Sequence, residues 1–149
     1  HYKNTILRIY TFDQEKARKL IEAEGIKNYS LDCVSQEQVS KVLSECKFGF
    51  LIRDNNIVNQ VATPTKLCDY LGNGVIPIIT NTVRAYADIA QHYEHLYCFG
   101  ESNKEQVIDA ALTNEVNVAD LEEEFKNIMD EYFNPEKFKK ELCEFFKGL

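Results

Sequence analysis

The amino-acid sequence predicts an α/β domain built on a doubly wound parallel sheet. Short apolar, β-rich runs recur along the first two thirds of the chain. Helical patterns of about ten to fifteen residues separate them, the alternation expected of strand–helix–strand units. One run, "FGFLI" (48–52), is almost continuously apolar, as befits a strand buried on both faces. Right-handed crossovers between such strands put helices on both sides of the sheet.

Each element has its own signal. "TILRIYT" (5–11) is a first strand, and Asp13 to Glu24 follow as a helix with Ala17, Leu20, Ile21 and Ala23 apolar, ended by Gly25. "YSLDCV" (29–34) is a second strand. Ser35 then caps "QEQVSKVLSEC", whose Val39, Val42, Leu43 and Cys46 share one helical face. "FGFLI" is the third strand, "VIPIIT" (75–80) the fourth and "HLYCF" (95–99) the fifth. From Asn103 to the end, residues 103–149, the pattern is helical. "VADLEEEFKNIMDEYF" puts Leu121, Phe125, Ile128, Met129 and Tyr132 on one face. "NPEKFKKELCEFF" begins with Asn134 as a cap and Pro135 at the first helical position. Its Phe138, Leu142, Phe145 and Phe146 form a stripe that reads as core. The cluster Glu122, Glu123, Glu124 reads as a solvated face.

Length and charge narrow the functional classes. The 149 residues suit a single domain, 1–149, with a substantial core. A net charge of −7 argues against bulk electrostatic binding of nucleic acid or of an anionic membrane, so an anion needs a local device. No apolar run approaches the roughly 20 residues of a spanning helix, and the polar start "HYKN" is not a signal peptide. Five cysteines, Cys33, Cys46, Cys68, Cys98 and Cys143, lack CxxC spacing and fall in apolar-patterned segments, the pattern of reduced core thiols in a cytosolic protein. His92 and His95 have no further ligands nearby and read as surface or loop residues, so no metal site is assigned.

The chemistry concentrates in "VATPTKLCDYLGNGVIPIIT" (61–80). In open parallel sheets, ligands bind beyond the carboxyl ends of the strands. Thr63 suits an N-cap, Pro64 the first helical position, and Gly72 to Gly74 the exit turn. Leu67, Tyr70 and Leu71 then face the core at i, i+3 and i+4, leaving Thr65, Lys66 and Asp69 outward. A lysine at the third helical position opposes the helix dipole at a cost of about 0.3–1 kcal/mol. A bound phosphate reverses that sign, because backbone N–H groups, the Thr65 hydroxyl and the Lys66 ammonium converge on one anion. Asp69, a turn further on, accepts hydrogen bonds in the manner of a ribose diol partner. The alternative is a surface helix in which Lys66 pairs with Asp69 at i+3.

The segment "IRDNNIVNQVATPTKLCDYLGNGVIPII" resembles the donor-binding segment of GT-B glycosyltransferases, in the C-terminal domain of the large retaining group that uses nucleotide sugars. The group's pattern runs Pro-x-Lys-x-x-Glu-Tyr-x-Ala-x-Gly before an apolar strand, and Pro64, Lys66, Tyr70 and Gly74 match it. The resemblance implies a Rossmann-like domain in which Thr63, Pro64, Thr65 and Lys66 contact the diphosphate and Asp69 holds the ribose. Arg53 and Asn59 line the same cleft in some relatives. Asp69 stands where the group usually has the longer Glu, and Val61 where many relatives have an acidic residue beside the sugar. The resemblance also implies that the first strand–helix unit and the whole N-terminal acceptor domain are absent. The chain is then a fragment that holds a nucleoside-diphosphate sugar, without a further cofactor, and does not catalyse transfer alone; no catalytic residue is assigned.

The full-length enzyme would be a hexosyltransferase of polysaccharide biosynthesis, in the cytoplasm or at the cytoplasmic face of a membrane. If the first unit is missing, the strands either pair in a continuous 2-1-3-4-5 order or leave a gap. The stripe on the last helix is expected either to fold back on the sheet or to self-associate. Two other classes compete. A phosphoacceptor receiver domain would use Asp13, Asp54 and Thr80 at strand ends, but lacks the acidic pair after strand one and a Lys after strand five. A non-enzymatic interaction module would explain the missing pieces and the aromatic final helix.

Overall fold

The structure, a computed structural model, describes residues 5–62 and 65–147. The chain divides into two compact units, residues 1–42 and 43–149.

In the first unit, β1 (Leu7–Tyr10) and β2 (Tyr29–Asp32) pair in parallel, with Leu7 opposite Tyr29 and Ile9 opposite Leu31. The crossover between them is α1 (Gln14–Ala23). Asp13 starts it by accepting the Lys16 N–H at 3.1 Å, and Ile21 is its buried residue. Gly25 ends it with φ at 67°, a left-handed conformation open to glycine, and Ile26 N–H bonds back to the Ile21 carbonyl. Beyond β2, the helix expected from Ser35 is shorter and split. A 3₁₀ turn (Gln36–Gln38) precedes α2 (Val39–Leu43), and the Gln38 side chain accepts the Ser35 N–H.

The second unit is a three-stranded parallel sheet in the order β3-β4-β5. β3 (Phe48–Leu51) pairs with β4 (Ile76–Thr80), which pairs with β5 (Tyr97–Phe99). The central strand carries a proline, Pro77, which cannot donate to a ladder. Ile76 N–H bonds to Lys47 O on the β3 side, so Pro77 faces the β5 side. There the pairing begins only at Ile78. The missing donor therefore falls where no partner strand is waiting. Among the described residues no hydrogen-bonded pair joins β1 to β3, so the continuous 2-1-3-4-5 order is not formed and the strands stand as two sheets.

Neighbouring residues on a strand point to opposite faces, and the second unit uses both. Ile78 and Phe99 pack with Ala111 of α6 (Lys104–Thr113). Ile79 belongs to the larger cluster, with Leu67 and Leu71 of α4 (Lys66–Gly72), Tyr86 and Ile89 of α5 (Arg84–Ala90), and Leu121, Phe125 and Ile128 of α7 (Val118–Tyr132). A short helix, α3 (Ile57–Val61), lies between β3 and α4 in the chain. The face expected of α7 is the face it buries.

Four expectations are corrected. The final helix, α8 (Pro135–Lys147), is capped by Asn134 as predicted but buries none of its residues. Phe138, Leu142, Phe145 and Phe146 are 48–63% exposed, so the stripe is not core and the helix does not fold back on the sheet. His95 lies in a turn before β5, as the loop reading has it, but is buried rather than on the surface, and Glu124 is not simply solvated. The Glu124 carboxylate accepts the His95 backbone N–H at 2.7 Å and contacts Nδ1 at 2.9 Å, whereas Glu122 and Glu123 are exposed. All five thiols are free, but Cys33 and Cys143 are on the surface rather than in a core; Cys46, Cys68 and Cys98 are half-buried.

Candidate functional site

β3 ends at Leu51, and the chain leaves the sheet through Ile52 and Arg53. That exit is clamped by two hydroxyls from the carboxyl end of β4. Arg53 N–H donates to Thr80 Oγ1 at 3.0 Å, and the Thr82 hydroxyl donates to the Arg53 carbonyl at 3.0 Å. Thr82 is buried, and a buried hydroxyl is costly unless it is bonded. The Arg53 backbone is thereby fixed while its side chain is exposed. Beyond it, Asn56 caps α3 by accepting Asn59 N–H, and the Asn59 amide donates to the Asp54 carbonyl at 2.9 Å. Gln60 accepts from Arg84 Nη2 at 3.0 Å, tying α3 to α5. The structure therefore commits the Asn59 side chain to shaping this loop.

The other wall is α4. It begins at Lys66, with Thr65 in the cap position at φ −61° and ψ −18°. Lys66 is thus its first residue rather than its third. Thr63 and Pro64, expected as cap and first helical residue, lie outside the described residues. Thr65, Lys66 and Asp69 are all exposed, and no ion pair joins Lys66 to Asp69 among the described residues. Leu67 and Leu71 are buried, as their spacing predicts. The helix stops with Asn73 as cap and Gly74 at φ 70°. Gly74 N–H then reaches Leu71 O and Val75 N–H reaches Tyr70 O, the paired bonds of a Schellman turn.

Tyr70 connects the walls. Its ring lies over the β3 backbone at Gly49, and its hydroxyl donates to the Phe50 carbonyl at 3.0 Å. Burial, then the neighbouring charges of Asp69 and Cys46, raises its pKa, so the donor proton is held firmly. Burial first and Asp69 second also push the Cys68 thiol up, away from reactivity. By topology, α4 runs back toward the amino end of β4, so its first turn lies toward the carboxyl ends of the strands. From the level of Tyr70 and Phe50, Lys66 is about 6 Å along the helix. Arg53 is about 10 Å along the strand direction. Arg53, Thr65 and Lys66 thus fall on the carboxyl-end side of the level of Tyr70, with Asp69 close to that level.

The sequence reading missed Thr80 and Thr82 as a clamp and Gly49 as a seat. The threonines of "ITNT", directly after an apolar strand, were the available signal. An open cleft of about 510 Å³ lies elsewhere, along α5 and β5, lined by Asn81, Arg84, Asp88, Gln91 and Cys98 among others; none of the predicted site residues lines it. Among the described residues no group of His, Cys, Asp and Glu is arranged to hold a metal ion, and no helix is long and apolar enough to cross a membrane. Of the residues the receiver alternative would use, Asp13 caps α1 and the Thr80 hydroxyl clamps Arg53. Comparison of the chain with known protein families, with curated proteins and with solved structures finds no match.

Proposed function

We propose that the chain is the nucleotide-sugar-binding, C-terminal domain of a GT-B retaining glycosyltransferase, with the acceptor supplied by a separate N-terminal domain. The observation that carries this reading is the Tyr70 strut, which ties α4 to the β3 backbone at Phe50, three residues before the clamped Arg53. Arg53 follows the carboxyl end of β3, and an open α/β sheet binds its ligands beyond such ends. The likeness of "PTKLCDYLGNG" to the family's donor segment supplies the chemical class. In this reading Lys66 and Arg53 neutralise the diphosphate, Thr63, Pro64 and Thr65 approach it with hydroxyl and backbone groups, and Asp69 accepts from the ribose hydroxyls. Charge-assisted contacts are the strong ones, and the overall charge of −7 leaves this local pair to do the binding.

Calorimetry with UDP-, GDP-, ADP- and dTDP-sugars tests it. One of them binds, and Lys66→Ala weakens that binding by about 1–3 kcal/mol, a factor of roughly 5 to 150. Asp69→Asn weakens ribonucleotide binding more than binding of the 2′-deoxy analogue. Absence of binding across the panel, or an unchanged affinity in Lys66→Ala, refutes the assignment. A second reading, an interaction module that self-associates through α8, is favoured by the exposed stripe from Phe138 to Phe146. Sedimentation at micromolar concentration decides it; a monomer removes it.

A further inference from the structure

We infer that Tyr70 is a positioning residue that holds the helix carrying Lys66 and Asp69 in place against β3, a role that rests on the donor-binding reading above. Three contacts meet at this one residue. Its ring occupies the space over Gly49 so closely that a Cβ built there would lie 2.7 Å from two ring carbons and 2.9 Å from a third. No side chain other than hydrogen fits beneath the ring. Its hydroxyl donates to the Phe50 carbonyl at 3.0 Å. Its own carbonyl accepts from Val75 N–H at 2.9 Å and Asn73 N–H at 3.1 Å. One residue therefore ties the helix carrying Lys66 and Asp69 to the strand leading into Arg53 and to the turn that enters β4.

The acceptor it uses is also informative. Ile76 N–H bonds to Lys47 O, so alternate carbonyls of β3, those of Lys47 and Gly49, point toward β4. The Phe50 carbonyl points to the outer edge of the three-stranded sheet, where no strand of that sheet receives it. The phenol meets a backbone group, whose position does not depend on a rotamer. A Phe at position 70 would keep the ring on Gly49 but let α4 slide along the strand. A shorter side chain would lose both restraints. Lys66 stands four residues before Tyr70, about one helical turn toward the start of the same helix. Asp69 is its direct neighbour. Any shift of residue 70 against β3 is therefore passed to both, relative to Arg53.

The test uses the intact chain with inorganic pyrophosphate as probe, read by calorimetry, together with amide hydrogen exchange across α4. Tyr70→Phe is expected to stay folded, to lose affinity for pyrophosphate at least fivefold, and to exchange faster at Lys66–Asp69 while the amides around Ile128 are unchanged. Leu71→Val, which trims a buried residue of the same helix, is the control for general destabilisation: it lowers the melting temperature and keeps the affinity. In Gly49→Ala the ring is displaced, and affinity falls as in Tyr70→Phe. Gly49→Ala combined with Tyr70→Leu recovers stability but not affinity. Equal affinity and exchange in Tyr70→Phe and wild type overturns the positioning role, as does an equal loss of affinity in Leu71→Val. A wild-type chain that binds no pyrophosphate overturns the donor-binding reading instead, so the two failures are told apart.

Discussion

Replacing Glu124 separates a buried charge from a buried hydrogen-bond acceptor. Its carboxylate faces two donors of one buried residue, the His95 backbone N–H at 2.7 Å and the imidazole Nδ1 at 2.9 Å. His95 is 6% exposed and the Glu124 side chain 14%, so neither donor has ready access to water as a substitute. For both contacts to be hydrogen bonds, Nδ1 must carry the proton. Glu124→Ala leaves two buried donors unpaired at about 1–3 kcal/mol each, and an overall loss of about 3–5 kcal/mol is expected. Glu124→Gln is different. The amide oxygen still accepts the backbone N–H, and the amide nitrogen donates to Nδ1 once the imidazole moves its proton to Nε2. The loss is then about 1 kcal/mol, the scale of one ordinary hydrogen bond. Urea denaturation measures both losses, and imidazole nitrogen chemical shifts report the tautomer. Equal destabilisation in the two variants, or an unprotonated Nδ1 in the wild type, refutes the reasoning.

Two further outcomes follow from backbone and titration. Gly74→Ala puts a Cβ at φ 70° with no atom within 4 Å, so its cost is purely conformational, about 1–2 kcal/mol; Gly72→Ala, in equally open space without the positive φ, is stabilising by about 0.5–1 kcal/mol. Both are read by urea denaturation, and equal effects at the two positions would discount the turn. Burial pushes the Tyr86 hydroxyl from 10 up to about 12, with the nearby Cys68 a smaller cause. Because the raised value favours the neutral form in the fold, this stability is complete below pH 10 and is lost as pH rises toward 12, by about 2–3 kcal/mol. Tyr86→Phe should flatten that limb of the pH profile, whereas an unchanged slope would assign it to Tyr93, also raised to about 12 by burial and its bond to Glu131.

The elements were legible because their periodicity is dictated locally. Val39 and Val42 fell on one helical face, Leu121, Phe125 and Ile128 on another, and "VIPIIT" on a buried strand, without knowledge of neighbours. What was not legible depended on partners distant in sequence. Nothing in "HLYCF" reveals that a carboxylate 29 residues later buries His95. The stripe from Phe138 to Phe146 has the spacing of a core face, and spacing cannot say whether anything covers it. At the candidate site, the outward position of Lys66 and Asp69 followed from the inward position of Leu67 and Leu71. The threonines of "ITNT" were visible, but their partner Arg53 was not, since the clamp joins residues 27 and 29 apart across two strands. Sequence thus exposed the groups proposed to meet a ligand sooner than the groups that hold the neighbouring backbone still.

The uncovered face of α8 bears on how any of these measurements is made. Four large apolar side chains on one exposed helix are a ready surface for environment-sensitive dyes, which brighten on contact with open apolar patches. Such a dye will glow on the native protein before anything melts, and its signal on heating will mix departure from α8 with exposure of the core. The chain contains no tryptophan but eight tyrosines, several in the packed second unit. Tyrosine fluorescence and far-ultraviolet dichroism therefore give the cleaner optical baseline, and a ligand's effect on melting can be read without a dye competing for the same surface.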